Sequence, residues 1–114
     1  MNRVVQNKSF SFAVRVVKLC KFLREEQKEF TMTKQLLRSG TSIGANIAEA
    51  QQAQSKSDFV HKMSIALKEA AETNYWLRLL HATDYLSDKA MESMILDCSE
   101  LEKMLTAIIK SAKE

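Results

Sequence analysis

Apolar residues recur along this chain in alternating steps of three and four, and the rhythm is rarely interrupted. Met91, Met94, Cys98, Leu101, Leu105, Ile108 and Ala112 keep that spacing without a fault. Residues at such steps share one face of an α-helix, which turns about 100° per residue, but would scatter over both faces of a strand. The chain has 114 residues, no Pro and only two Gly, so the strongest helix breakers are nearly absent. The pattern predicts an all-α protein forming a single domain over 1–114. Its helices fall at about 9–28, 32–53, 56–83 and 87–112.

Each predicted helix has its own seam. In the first, Phe12, Val16, Leu19 and Leu23 form the seam, and Phe10, Val14 and Val17 widen it. A stripe this wide implies burial on more than one side. The second begins near Thr31 or Thr33, either of which suits an N-cap. Its seam, Leu36, Gly40, Ile43, Ile47 and Ala50, is a heptad with one small position. The third follows Ser55, which with Asp58 resembles a capping box, and runs through Phe59, Met63, Ala66, Ala70, Thr73, Leu77 and Leu80. Ser87 caps the fourth, with Asp88 favourably placed at the helix N-terminus. Connections this short force neighbours to run antiparallel, so the expected architecture is an up-down-up-down four-helix bundle.

Residues 38–51, RSGTSIGANIAEAQ, carry more than a seam. Gly40, Gly44 and Ala48 line one flank, while Arg38, Ser42, Asn46 and Glu49 line the other. A helix-interior Gly costs about 1 kcal/mol relative to Ala, so two of them suggest that something packs too close for a side chain. The expectation is two additional contact surfaces, one for close helix approach and one polar. The plainer reading is a helix inside one bundle with its polar flank in water. Arg38 and Glu49 lie roughly 16 Å apart along the axis and cannot pair with each other. Each needs a partner from another helix or subunit, and Arg38, Asn46 and Glu49 are assigned to a structural polar network at or near a subunit contact.

Charge is unevenly spread. Net charge is +3, but residues 1–28 hold seven Lys/Arg against two acids, while residues 87–114 hold four Lys against six acids. On the first helix Lys21, Arg24 and Lys28 form one cluster, and Lys8, Arg15 and Lys18 a second. Such stripes neutralise phosphates with strong salt dependence, or are simply solvated. Arg15, Lys18, Lys21, Arg24 and Lys28 are the candidate nucleic-acid contacts. Tyr75 and Trp76 suit stacking on bases, but a subunit interface satisfies an aromatic with a polar atom equally well and is favoured.

Enzymatic signatures are missing. Di-iron bundles need paired Glu-x-x-His motifs, and this chain offers only Asp58-x-x-His61. It has no Gly-rich phosphate loop, His-Glu-x-x-His run or credible Ser/His/Asp arrangement. No catalytic residue, metal or cofactor is expected. Cys20 and Cys98 lie in helical patterns without CxxC spacing and read as buried reduced thiols. No apolar run approaches about 18 residues, so no membrane span is expected. The N-terminus lacks a signal-peptide core, and a cytoplasmic location is the expectation.

The segments LRSGTSIGANIAEA and SKSDFVHKMSIALKEAAETNYWLRLL, with the four-helix layout, resemble the bacterial family of 23S rRNA intervening-sequence proteins. Arg38, Ser42, Ile43, Asn46, Ile47, Ala48 and Glu49 stand where that family's pattern places them. Ser57-Asp58-Phe59, Lys68-Glu69, Glu72-Thr73 and Tyr75-Trp76-Leu77 match a common subgroup. Many members carry Gly after the motif's Glu, whereas this chain has Ala50, from which the helix is expected to continue to Ala53. Members are encoded within insertions in 23S rRNA genes or stand alone. The family is similar to the accessory variability protein of diversity-generating retroelements, a homopentameric barrel that binds nucleic acid and a reverse transcriptase. The resemblance thus implies a cyclic homo-oligomer, a pentamer, with RNA or a reverse-transcriptase-like enzyme as partner. The reading is a non-enzymatic oligomeric bundle that binds structured RNA or a nucleic-acid-processing partner. The alternative is a protein–protein scaffold that docks a partner enzyme without nucleic-acid affinity.

Overall fold

The computed structural model describes residues 2–114. It contains four helices, α1 (Asn2–Gln27), α2 (Thr31–Ala50), α3 (Lys56–Ala82) and α4 (Asp88–Lys113), and no strand among the described residues. The bundle measures 45 × 20 × 19 Å, the length expected when helices of about 26 residues lie side by side. Cross-helix pairs fix the directions. Arg38 meets Glu72 while Glu49, farther along α2, meets Lys62, earlier on α3. Lys8 likewise meets Glu100 and Arg15 meets Asp97. Both registers run backwards, so α2 is antiparallel to α3 and α1 to α4.

Every helix turns its seam inward. Phe12, Val16, Leu23, Leu36, Ile43, Ile47, Met63, Ala66, Ala70, Leu77, Leu80, Cys98, Leu101 and Leu105 are buried in one core. Fully burying one such Leu or Ile stabilises by roughly 1.5–3 kcal/mol. The buried Thr73 hydroxyl donates to Ser39 Oγ at 2.9 Å, and no buried side-chain polar atom among the described residues lacks a partner. That matters because an unpaired buried polar group costs more than a hydrogen bond gains.

Three local expectations are corrected. First, α1 starts at Asn2 rather than near Ser9, because Val5 and Ser9 extend its buried face one more heptad. Second, α2 ends at Ala50 and does not reach Ala53. Gln51, Gln52 and Ala53 donate to Ala48, Glu49 and Ala50 carbonyls at 3.2, 3.0 and 3.1 Å, a tight three-residue spacing. One heptad past Ile47 stands the exposed Gln54, which gives the core no reason to prolong the helix. Third, neither Thr31 nor Thr33 caps α2. The buried Glu29 carboxylate accepts from the Thr31, Met32 and Thr33 N–H groups at 3.2, 2.9 and 2.8 Å. A carboxylate satisfies three orphan donors at the positive end of the helix. Ser55 and Ser87 do cap α3 and α4, accepting from Asp58 and Ala90.

Candidate nucleic-acid and assembly surface

α1 must serve two faces, because it is apolar on more than its core side. Phe10, Val14 and Val17 point away from the core and are 72, 38 and 48% exposed. Among the described residues, the widened stripe is therefore left only partly covered. Beside Phe10 runs a groove of about 480 Å³ between α1 and α2, floored by Ser9, Ala13, Gly44 and Ala48. Exposed contiguous apolar surface of this kind marks contact sites on soluble proteins.

The two glycines of α2 differ in what they meet. A Cβ on Gly40 would lie 2.8 Å from both Val16 methyls, so the close helix approach that the small stripe suggested occurs at this position between α1 and α2 of one chain. A Cβ on Gly44 would lie 3.4 Å from Ser9 Oγ, an ordinary contact at the groove floor. Ala48, which also lines the groove, is exposed.

The polar flank also finds its partners inside the chain. Arg38 Nη1 donates to Glu69 at 3.1 and 3.2 Å, and its Nη2 to Glu72. Trp76 Nε1 donates to the same Glu72 at 3.0 Å. The Arg38 bonds, and then the Trp76 bond, hold the Glu72 carboxyl below its usual range. Glu49 accepts from Lys62 at 2.9 Å, Asn46 donates to the Ser42 carbonyl at 2.8 Å, and Ser42 donates to that of Arg38 at 2.6 Å. Arg38, Asn46 and Glu49 are thus not joined in one network. Trp76 is half-buried against the core, edge-on to the exposed Tyr75 at 5.0 Å between centroids.

The basic residues of α1 divide just as clearly, and Lys28, expected to close this helix, instead follows its last residue Gln27 with a left-handed φ of 55°. Lys18, Lys21 and Lys28 are exposed, and no carboxylate pairs with them among the described residues. Arg24 donates through Nε to Thr33 Oγ1 at 3.1 Å, beneath the α2 cap. Arg15 is engaged on α4, with Nη1 to Asp97 Oδ2 at 2.5 Å and Nη2 to Ser93 Oγ at 2.7 Å. Lys8 pairs with Glu100 at 2.5 Å, and that hydrogen bond raises its pKa. The basic first quarter and acidic last quarter therefore neutralise each other in part. Sequence reasoning saw both charge blocks but not their pairing, and it missed Glu29, whose only signal was a carboxylate four residues before Thr33.

No group of three or more His, Cys, Asp or Glu gathers to hold a metal among the described residues. Among the described residues, no helix is long and apolar enough to cross a membrane. Cys20 and Cys98 are free and buried, and burial pushes their thiols up to about 11 and about 12.

Fold and surface together define a small antiparallel four-helix bundle with an uncovered apolar and basic face on its first helix. Residues 1–107 match the family described as 23S rRNA-intervening sequence protein, and the chain belongs to that family. It is similar to a protein of unknown function from the S23 ribosomal protein family of Bacteroides thetaiotaomicron, whose crystal structure was determined at 1.70 Å resolution. The two are 60% identical, with a TM-score of 0.95, and the alignment covers 96% of this chain and 97% of the other. No curated protein matches the chain.

Proposed function

We propose that this chain is a non-enzymatic binding module that assembles with copies of itself and holds the phosphate backbone of structured RNA. The observation that carries the reading is the outward face of α1, where Phe10, Val14 and Val17 give way to Lys18 and Lys21, with Lys28 just past the helix end. An apolar strip beside a Gly-floored groove suits another protein surface, here a neighbouring subunit. Unpaired lysines on one helix suit phosphates. Three cations bind weakly alone, but a cyclic assembly such as the homopentamer implied by the family resemblance repeats them around a ring and gains avidity.

The test is fluorescence anisotropy of a labelled RNA stem-loop, titrated with wild type and with Lys18→Glu/Lys21→Glu at several salt concentrations. Wild type binds with a steep salt dependence. The variant binds more weakly, with a slope flattened by about 0.7–0.9 for each phosphate it no longer neutralises. Equal binding by the two proteins would remove the α1 lysines from the reading. Absence of binding at low salt would leave the scaffold alternative, which the apolar groove favours, with a reverse-transcriptase-like or other nucleic-acid enzyme as the partner.

A further inference from the structure

Two of the cations on α1 already hold anions, and those anions belong to α4. Arg15 spreads its guanidinium fork across the Asp97 carboxylate at 2.5 Å and the Ser93 hydroxyl at 2.7 Å. One heptad earlier, Lys8 meets Glu100 at 2.5 Å. One guanidinium N–H of Arg15 thus holds a charged carboxylate oxygen and another a neutral hydroxyl, acceptors of the kind that a phosphate group also offers. Lys18 stands one turn from Arg15, exposed and unpaired, so the occupied cations adjoin a free one.

We infer that Asp97 and Glu100 act as internal stand-ins for phosphate, masking Lys8 and Arg15 and making the α1–α4 seam a second phosphate-binding surface that nucleic acid must compete to enter. This inference rests on the proposed function. The pairs are built for exchange. The Arg15 and Asp97 side chains are 39 and 46% exposed, and those of Lys8 and Glu100 are 49 and 50% exposed. Ion pairs this open to solvent contribute little to stability, so breaking them leaves the bundle standing. Around them the seam is mixed, with Asn7 and Ser11 beside the apolar Phe12 and Leu101. Side-chain rotation alone exposes the two cations, with no movement of either helix. The result is a threshold: a weak or sparsely charged ligand meets only Lys18, Lys21 and Lys28, whereas a dense phosphate array displaces the carboxylates and engages two further cations.

The test compares wild type with Asp97→Asn/Glu100→Gln, using the same labelled RNA stem-loop and salt series. The variant is expected to bind more tightly at low salt, with a salt slope steeper by about 1.4–1.8. Its advantage then shrinks by roughly tenfold between about 50 and 200 mM salt. Adding Arg15→Gln to the variant removes part of the gain. A charge-matched control, Glu92→Gln/Glu114→Gln, changes the slope little. A slope equal to wild type overturns the masking, as does a control that reproduces the gain. Loss of helical circular dichroism in the double variant also overturns it, because the carboxylates would then be structural. If wild type binds and responds to Lys18→Glu/Lys21→Glu while Asp97→Asn/Glu100→Gln matches wild type, only the masking fails. If none of the proteins binds at any salt concentration, the proposed function fails with it.

Discussion

Gly40 and Gly44 stand one turn apart on α2 and obey opposite constraints. At Gly40 the Val16 methyls occupy the space a side chain would need, so Gly40→Ala overpacks the α1–α2 contact. It should lower stability by about 1–3 kcal/mol. At Gly44 the space is adequate, and Gly44→Ala relieves the helix of its conformational penalty, raising stability by up to about 1 kcal/mol. Urea midpoints of the two variants should therefore move in opposite directions, and a shared direction would contradict the geometry. Glu29 is the other residue whose role is out of proportion to its signal. Glu29→Ala orphans three N–H groups at the start of α2 and should cost about 1–2 kcal/mol, read from the same denaturation curves. Both roles depend on neighbours brought close by folding, which explains why the glycine spacing was legible but the difference between the two glycines was not.

At the scale of elements, α2 and α3 are clasped outside their shared core by Arg38 with Glu69 and Glu72, and by Lys62 with Glu49. Arg38 and then Trp76 depress the folded-state Glu72 pKa below its unfolded value. The stabilisation is therefore present above about pH 4.3 and is lost as pH falls through the depressed value. The gap in melting temperature between wild type and Glu72→Gln should narrow as pH is lowered from about 5 to about 2, and a constant gap would show that the clasp does not carry this dependence. The clasp joins residues 31 and 34 positions apart. The sequence showed that Arg38 and Glu49 needed separate partners, because one helix keeps them apart. It could not choose between another helix and another subunit. The α1–α4 seam is bridged in the same way, by the pairs of Lys8 with Glu100 and Arg15 with Asp97.

At the scale of the whole molecule, the apolar outward face of α1 is the surface that assembly would use. Phe10 and Val17 lie exposed on α1, with Phe10 at the wall of the Gly44 groove. If this face joins subunits, wild type should have a solution mass several times the 13.0 kDa of one chain. Phe10→Ser/Val17→Ser should then bring the mass measured by light scattering down to one chain, with helical content retained. A wild type of single-chain mass at micromolar concentration would refute the assembly. Stable interfaces bury about 800 Å² per partner, more than three side chains supply, so the groove floor must take part and Gly44→Leu should weaken assembly as well.

The helices, their seams and the family were determined by the sequence itself. Burial imposes a period on each helix that local residue order records directly, and caps such as Ser55 and Ser87 are local too. The tertiary structure alone decided which outward residues are occupied. Arg15 and Asp97 lie 82 positions apart, and no local pattern says that a basic first helix will spend two cations on an acidic fourth. The same packing left Lys18, Lys21 and Phe10 uncovered. A helix's periodicity determines which side faces inward, but the partners of its other side depend on how helices distant in sequence are brought together.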